Sequence, residues 1–359
     1  MKIFAFFLPQ FHTIPENDEW WGKGFTEWRN VKRGKKFYKD QDQPKIPLNN
    51  NYYNLLNKET MLWHAQLLRD YKLDGFIYYH YYFNGKHLLE KPAENLLRWE
   101  DVNQPFFFCW ANHSWKRTWE GSQKILMKME YGLEKDWEEH FQYLLPFFKD
   151  RRYEKKDNKP LFMLFNSFFD EKVEMINYFD KRCKEEGFNG IYLIESCSSY
   201  NDYIKMRDLK TALKPEYKLF LREPSISVDL TLHKLKYIPM RLIYKIQEKA
   251  DKVFGTNFRK PKKYKGDDVY RTMLDLKVSN NSIRGLYFEW DNTPRHKNRG
   301  FIITPPSEIM VSKYLKSLKN EEYVFVNAMN EWAEGMILEP TTSNRYKYLE
   351  YIKKYKNLY

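Results

Sequence analysis

Short apolar runs alternate with longer amphipathic segments from one end of the chain to the other. Each run is bounded by breakers or charges and is rich in β-branched or aromatic residues, which is typical of buried strands. Strands are predicted at residues 2–8, 74–82, 105–111, 160–165, 190–195, 217–221, 285–290 and 323–328. Helical periodicity lies between them, at residues 58–71, 133–148, 169–186, 232–252, 267–277, 308–318 and 344–354.

Eight strands that alternate with helices predict a parallel α/β sheet, and eight such units close most economically into a (β/α)8 TIM barrel. Residues 1–359 are therefore expected to form a single domain with long loops at the C-terminal face of the barrel. An open doubly wound sheet is the main alternative, but it usually carries a glycine-rich turn after the first strand. Here the first strand runs into LPQFH, which contains no glycine. The segment at about residues 222–268 is basic and is expected to be less regular.

The chain is basic, with a net charge of +13. This balance favours contact with an acidic partner such as nucleic acid, an anionic membrane leaflet or an acidic glycan, although a lysine-rich solvated surface explains it slightly better. The basic residues are spread along the predicted helices, so a nucleic-acid partner is ranked last. The basic amphipathic stretch at residues 232–252 leaves peripheral membrane contact open, although a plain barrel helix with a solvated face explains it better.

Three cysteines occur without a CxxC pair, which favours reduced thiols and argues against a disulfide framework. The N-terminal apolar run ends at Leu8, which is too short for a signal peptide, and no stretch is long enough to span a membrane. A cytoplasmic protein is expected, with attachment to the inner face of the membrane left open.

Aromatic and hydrogen-bonding side chains follow nearly every predicted strand. In a barrel of this type the ligand site lies at the C-terminal ends of the strands. Trp and Tyr offer flat faces to sugar rings, and Asn, His and Glu bind hydroxyl groups, so this repeated pairing predicts a glycan site. The predicted substrate-binding residues at the strand ends are His12, His80, Tyr81, Trp110, Asn112, His113, Trp115, Glu289, Trp290, Asp291, Asn330 and Trp332.

The sharpest local feature is the motif NEWAEG at residues 330–335. Glu331 and Glu334 are three residues apart, so a helical turn would place both on one side. Glycosidic bond cleavage needs two carboxyl groups, one to protonate the leaving oxygen and one to supply or activate a nucleophile. Trp332 between them could desolvate one carboxyl and raise its pKa. Such glutamate pairs are common on solvated helices, but the position after the last strand favours a catalytic pair.

Several other chemistries lack their motifs. The chain contains no GxxxxGK[ST] loop, no GxGxxG, no HExxH and no GxSxG. The histidines are scattered, and the DQD sequence at residues 40–42 lies in a charged loop that is interpreted as a surface turn. No cofactor and no metal site are predicted.

Long blocks of the sequence resemble the WbsX-type family, which is similar to glycoside hydrolase family 99. The blocks are FAFFLPQFHTIPENDEWWGKGFTEWRNV, HYYFNGKHLLEKPAENLL, FCWANHSWKRTWEG, YFEWDNTPR and NAMNEWAEGMILEPT, in the family's order. The resemblance implies a (β/α)8 barrel that acts on mannose-type or related α-linked glycans. WbsX-type members are associated with bacterial surface polysaccharide synthesis and are often labelled glycosyltransferases, whereas family 99 enzymes are retaining endo-acting α-mannosidases and mannanases.

The resemblance also implies roles for single residues. In the family's NEWxEG-like motif the first glutamate acts as a base on the substrate's own neighbouring hydroxyl and the second acts as general acid. By position, Glu331 would be the base and Glu334 the acid. The N-terminal motif would fold over the barrel mouth and help to bind sugar through His12, Trp20, Trp21, Glu27 and Trp28.

One departure from the family pattern lies at residues 110–115, which read WANHSW where such proteins usually carry WANENW. His113 therefore replaces a rim carboxylate, which puts the substrate subsite in doubt more than the acid–base pair. The basic residues Lys116, Arg117 and Arg295 near the rim are candidates for binding phosphate, although surface ion pairing is favoured for them.

The leading hypothesis is a carbohydrate-active enzyme, either hydrolase or transferase, in bacterial lipopolysaccharide, O-antigen or capsule biosynthesis. Its partner would be a glycan substrate, with lipid-linked and phosphorylated forms left open. The alternative is a non-catalytic glycan-binding protein on the same barrel, which would tolerate loss of either glutamate. The sequence does not indicate the sugar, its linkage, the acceptor or the oligomeric state.

Overall fold

The computed structural model describes residues 1–116, 125–208, 212–255 and 259–358, and the predicted (β/α)8 barrel is confirmed. Eight parallel strands pair in chain order, and the cylinder closes because the first strand pairs with both the second and the eighth. The barrel strands are β1 Lys2–Phe7, β2 Gly75–Phe83, β3 Phe106–Trp110, β4 Lys159–Leu164, β5 Tyr192–Cys197, β6 Tyr217–Leu221, β7 Ser282–Leu286 and β8 Tyr323–Val326.

Helices in the connections form the outer layer, and each of the seven predicted helices corresponds to an observed one. The helices that the periodicity missed are short and lie mostly in connections beyond the C-terminal ends of strands. The described helices are α1 Pro15–Trp21, α2 Trp28–Lys32, α3 Lys58–Tyr71, α4 Lys91–Arg98, α5 Glu134–Lys149, α6 Lys172–Glu185, α7 Tyr200–Asp208, α8 Glu223–Leu232, α9 Ile238–Phe254, α10 Gly266–Asp275, α11 Thr293–His296, α12 Glu308–Ser317 and α13 Lys347–Leu358.

Phenylalanine side chains fill the barrel interior. Phe107 packs against Phe4 with 5.3 Å between ring centroids and against Phe325 at 5.5 Å. Phe220 in turn contacts Phe325 at 5.2 Å and Phe6 at 5.6 Å. All five rings are shielded from solvent. Much of the high aromatic content therefore builds a packed core, and ligands can approach only at the ends of the barrel.

The seventh strand begins and ends earlier than its predicted bounds at residues 285–290. β7 contains Arg284, whose Nε donates to Glu223 on α8 at 2.6 Å outside the barrel wall. Because this charged residue interrupts the apolar run, the hydrophobic pattern did not predict the start of β7. The shift matters for the site because Glu289 and Trp290 lie in the connection beyond the strand and not within it.

The basic segment at residues 222–268, expected to be less regular, holds α8, α9 and the short strand Lys262–Tyr264. Residues 256–258 within it lie outside the described part of the chain. The outward side of α9 is apolar, and Leu242, Ile243 and Ile246 are each more than half exposed. Within the described residues, no helix combines the length and the hydrophobicity that crossing a bilayer requires.

Candidate active site

A cavity of about 790 Å³ opens at the C-terminal end of the barrel, where ligands bind in folds of this kind. Its walls combine aromatic faces with polar side chains, the combination that sugar rings and hydroxyl groups require. The predicted site residues that line it are Trp21, Tyr81, His113, Trp115, Trp290, Glu331 and Glu334.

The NEWAEG motif forms a tight turn beyond β8. Asn330–Glu331 pairs antiparallel with Met336–Ile337, and Trp332–Glu334 between them makes a single 3-10 turn. Gly335 closes the turn with a φ of 66°, a left-handed conformation that favours glycine. The turn brings both carboxyl groups of the motif to the cavity, as the spacing predicted.

Arg295 joins the two carboxyl groups to a third. Its Nη1 donates to Glu334 Oε1 at 2.5 Å, and its Nη2 lies 3.5 Å from Glu331 Oε2. Its Nε donates to Glu27 Oε1 at 2.8 Å. Burial lowers the pKa of Arg295, but the three carboxylates outweigh burial and raise it. The favoured interpretation of Arg295 as a surface ion-pair residue is therefore wrong, because its side chain is only 10% exposed and lies inside the cluster.

Glu331 and Glu334 lie in different electrostatic surroundings. Burial raises the pKa of Glu331 from 4.5 to about 8, with Arg295 lowering it and the charges of Glu334 and Glu27 raising it further. Its burial thus favours the protonated form of Glu331. Glu334, in contrast, accepts hydrogen bonds from Arg295 and from Trp290 Nε1, the latter at 3.1 Å.

Aromatic side chains of the N-terminal motif cover one side of the cavity. α1 carries Trp20 and Trp21, and Trp20 packs edge-on against Trp115 with 5.6 Å between centroids. Trp115 also packs against Tyr81 at 4.9 Å. Burial raises the pKa of Tyr81, and the charge of Glu331 raises it further, so this hydroxyl stays neutral beside the carboxyl pair.

Three predicted indoles lie behind the cavity wall and hold the loops together. Trp28 donates to the Tyr53 carbonyl at 2.8 Å, and Trp110 donates to the Tyr82 carbonyl at 3.0 Å. Trp332 packs against Trp28 at 5.3 Å and does not line the cavity. Its Nε1 donates to Glu339 Oε2 at 2.7 Å. The predicted role of Trp332 in desolvating a catalytic carboxyl stays a prediction.

Three predicted polar residues also support the site from behind. Asn330 accepts from the Leu8 N–H at 2.7 Å and donates to the Leu8 carbonyl at 3.0 Å, which ties β8 to β1. Asn112 makes the same kind of two-way contact with the Asn166 backbone. Glu289 accepts from Lys45 at 2.9 Å.

Asp291 is held by the loop that contains the DQD sequence. Its Oδ2 accepts from Gln41 at 2.8 Å and from Gln43 at 3.0 Å. Both glutamines are buried, so this loop is only partly the surface turn that its charge suggested. Asp40, at the start of the loop, is exposed and pairs with Lys263.

The predicted histidines separate into two environments. His12 and His80 are buried, and His80 Nε2 lies 2.8 Å from His140 Nε2 on α5, on the helix side of the barrel wall. His113 instead lines the cavity and packs against Phe165 at 5.1 Å. Burial lowers the pKa of His12 to about 4, and burial together with the charge of Arg222 does the same for His113.

Several cavity residues escaped the sequence reasoning. Arg222, directly after β6, lines the cavity, and so do Gln10 beyond β1 and Tyr79 within β2. A position directly after a strand was a usable signal for Arg222, but the residue was assigned to the start of the less regular basic segment at residues 222–268. Lys116 lies at the rim, whereas Arg117 lies outside the described residues. No group of His, Cys, Asp and Glu among the residues described could hold a metal ion.

Solved structures share this architecture. The GH99 endo-α-mannosidase from Bacteroides thetaiotaomicron in complex with BIS-TRIS-propane matches with a TM-score of 0.58 and 12% identity over 99% of this chain and 96% of that chain. A second structure of that endo-α-mannosidase matches with a TM-score of 0.56 at the same coverage. A glycoside hydrolase-like protein matches with a TM-score of 0.56 and 12% identity over 89% of this chain and 91% of that chain. At these identities the likeness shows the fold alone.

Sequence relatives place the chain more closely. Two proteins, both named uncharacterized protein WxcX, from two strains of Xanthomonas campestris pv. campestris are 28% identical over 359 residues, which is 97% of this chain and 48% of each relative. The chain thus spans about half the length of these curated relatives. The family model described as Glycosyltransferase WbsX matches residues 3–352. The chain belongs to the WbsX glycosyltransferase family.

Proposed function

We propose that this protein is a carbohydrate-active enzyme that cleaves or transfers a glycosyl unit with Glu331 and Glu334 as its acid–base pair. The observation that carries the proposal is the shared contact of both carboxyl groups with Arg295 at the mouth of an aromatic-lined cavity. Two carboxyl groups at one site are what glycosyl chemistry requires, since one must donate a proton while the other accepts one or supports a nucleophile.

The sequence motif and the electrostatics support opposite assignments of the acid and the base. The NEWxEG match makes Glu331 the base and Glu334 the acid. The pKa of Glu331, about 8, favours the reverse order in the ligand-free protein, because a protonated carboxyl is the one that can act as an acid. We retain the motif-based order as the assignment to be tested. In that order, Glu331 must lose its proton before it can act as a base.

The proposed substrate is an α-linked, mannose-type glycan in bacterial surface polysaccharide biosynthesis, either lipopolysaccharide O-antigen or capsule. Support for the sugar comes from the fold shared with structures described as endo-α-mannosidases, and support for the pathway comes from the family. Hydrolysis and transfer differ only in whether water or a second sugar hydroxyl attacks. The cavity, with a volume of about 790 Å³, has room for more than one sugar ring.

Product analysis tests the reaction directly. The protein is incubated with defined α-mannosides, with and without acceptor glycans, and the products are followed by mass spectrometry. Free reducing ends indicate hydrolysis and extended chains indicate transfer. Binding without any product would favour the alternative of a glycan-binding protein on the same barrel.

Two variants decide the roles of the carboxyl groups. If Glu334 is the acid, Glu334→Gln loses turnover of substrates with poor leaving groups by about 100-fold or more but retains turnover of an activated aryl glycoside, which needs no protonation. Glu331→Gln is then inactive with both substrates. The opposite pattern would assign the acid to Glu331, and unchanged activity of both variants would refute the pair.

We further propose that α9 docks on an anionic bilayer surface. Its exposed apolar residues recur at helical spacing, with Leu242, Ile243 and Ile246 in one stripe and Val253 a further two turns along. Exposed Lys245 and Lys249 border this stripe, which is the charge pattern of helices that lie in a membrane interface.

The place of α9 in the fold supports this docking. The helix shares a groove with residues 298–300, in the same connection that carries Arg295 into the active site. A membrane-bound α9 would therefore bring the cavity mouth close to the bilayer. A lipid-linked glycan on the cytoplasmic leaflet would suit that arrangement.

Vesicle sedimentation tests the docking. We expect the protein to bind phosphatidylcholine vesicles that contain phosphatidylglycerol and to bind neutral vesicles less well. Replacing Ile243 and Ile246 together by Glu should weaken binding by at least about tenfold, because two apolar side chains no longer leave water. Ile309→Glu, at an equally exposed apolar position on α12, is the matched control. Equal binding of parent and double variant would refute the docking surface.

A further inference from the structure

Arg222 is a cation for which the described residues supply no counter-ion. It follows β6, is partly buried, and lines the cavity. Its guanidinium lies 4.1 Å from the ring centroid of Phe165, and its Nε is shielded from solvent without a hydrogen-bond partner. Across the parts of the chain that the structure describes, no carboxylate forms an ion pair with it. Burial lowers its pKa, and the acid whose charge reaches it, Asp202, accepts a hydrogen bond from Ser198.

Other arginines that are largely buried have carboxylate partners. Arg152 pairs with Asp150 at 2.7 Å, and Arg284 pairs with Glu223 at 2.6 Å. Arg295 serves three carboxyl groups. A guanidinium withdrawn from water is costly unless it is paired. The isolation of Arg222 at a cavity wall therefore indicates that a ligand brings the missing anion.

The neighbours of Arg222 add positive charge and hydrogen-bond donors. His113 and Arg222 both pack against Phe165, and the charge of Arg222 helps to lower the pKa of His113 to about 4. A neutral imidazole still donates one N–H. Lys116 adds a positive charge to the lining of the same cavity. The carboxyl groups that line the described cavity are Glu331 and Glu334, and Arg295 already engages both.

This cationic side faces the reacting carboxyl groups across the barrel mouth. His113, Phe165 and Arg222 follow β3, β4 and β6, and Glu331 follows β8, which is opposite β4 and two strands from β6 in the closed cylinder. Tyr79 lines the same cavity, and its pKa is raised by burial and by the charge of Glu331 and lowered by the charge of Arg222. An anion at Arg222 would therefore belong to a sugar close to the one that reaches Glu331.

We propose that the cavity binds a glycan that carries an oxyanion, either a hexuronate carboxylate or a phosphate ester, through Arg222 and His113. This inference rests on the proposed function and specifies its substrate class. Arginine suits such a group because its planar fork can donate two parallel hydrogen bonds to a carboxylate or a phosphate. The substitution of His113 for the usual rim carboxylate removes a negative charge that would repel the ligand.

Equilibrium titrations with three matched sugars test the proposal. The probes are methyl α-D-mannopyranoside, its uronate, in which a carboxylate replaces the hydroxymethyl group, and its 6-phosphate. We expect one or both acidic probes to bind about 10- to 100-fold more tightly than the neutral sugar, the effect of a hydrogen bond to a charged group. A gain for the uronate alone identifies a uronic acid, a gain for the phosphate alone identifies a phosphorylated sugar, and both support the proposal.

Variants separate a specific contact from a general charge effect. Arg222→Gln should remove the advantage of the acidic probes without a comparable loss of affinity for the neutral sugar, and it should not lower the melting temperature, because an unpaired charge is removed. Arg222→Lys should retain part of the advantage, because it keeps the charge without the fork. Lys313→Gln, at an exposed position on α12, removes the same charge far from the cavity and should change nothing.

Three results would overturn the proposal: equal affinity for all three sugars, an equal loss for neutral and acidic sugars in Arg222→Gln, or no binding of either acidic probe at tens of millimolar. These results are distinguishable from failure of the proposed function because the titrations record binding and not turnover. Turnover of neutral mannosides without any acid preference would refute this inference alone. Acid-selective binding without turnover would refute the proposed catalysis alone.

Discussion

Replacing Glu331 by Gln should stabilise the folded protein, and the gain should grow with pH. Glu331 titrates at about 8 in the folded protein and near 4.5 in an unfolded chain. Between these values the unfolded chain has lost the proton that the folded protein still binds, so the free energy of unfolding falls as pH rises. Glutamine has the same shape and carries no ionisable proton, so the free energy of unfolding of the variant does not fall with pH for this reason.

The size of the effect follows from the difference between the two pKa values. Each pH unit over that interval removes about 1.4 kcal/mol of stability, so the complete loss has an upper limit of about 5 kcal/mol. Below about pH 4.5 both states are protonated and parent and variant should be nearly equal. Above about pH 8 the difference should reach its plateau.

Denaturant unfolding of parent and variant at a series of pH values from about 5 to about 9 measures the difference. Glu308→Gln on α12 is a suitable control, because its side chain is 61% exposed and lies 3.7 Å from Lys354 in a surface ion pair. The control should follow the parent at every pH. Parallel curves for Glu331→Gln and the parent would show that burial does not raise the pKa of Glu331, and the reasoning would fail.

Three other substitutions probe the surroundings of the site. Glu27→Gln should lower the pKa of Glu331, because the charge of Glu27 raises it, and the limb of the pH–rate profile assigned to Glu331 should move to lower pH; an unmoved limb would contradict this. Trp290→Phe removes the donor to Glu334 and should reduce kcat/KM by about 10- to 100-fold without changing the fold, which steady-state kinetics and circular dichroism would check. Arg284→Met leaves its buried carboxylate partner on α8 unpaired and should cost about 3–5 kcal/mol of stability in denaturant unfolding, and a change below 1 kcal/mol would show that the pair is dispensable.

The barrel could be predicted from the sequence because its strands are apolar on both faces and its main helices are periodic. β7 was misplaced where Arg284 interrupts that pattern, since the charge is neutralised by Glu223, a residue 61 positions earlier in the chain. A local window contains no information about such a partner. The same holds for α1 and α2, which are short and depend on contacts with the barrel mouth.

The sequence predicted the carboxyl pair of the candidate site better than it predicted the residues of the cavity walls. Glu331 and Glu334 follow a strand end and share a motif, so position and chemistry agreed. The sequence did not distinguish tryptophans of the core from tryptophans of the cavity wall. Trp28 and Trp290 both follow strands or loops, but in the structure Trp28 is buried in the core and Trp290 lines the cavity. The role of Arg295 depends on three carboxyl groups that only the closed fold brings together.

Through Asn330, the geometry of the site depends on closure of the barrel. Its side chain bridges the backbone of Leu8, so the residue that precedes Glu331 is fixed by the seam where the first strand meets the last. A partly folded chain whose seam is still open would have both glutamates but no fixed geometry between them. Chemistry on glycans would therefore begin only once the cylinder has closed, and intermediates during synthesis of the chain would remain inert.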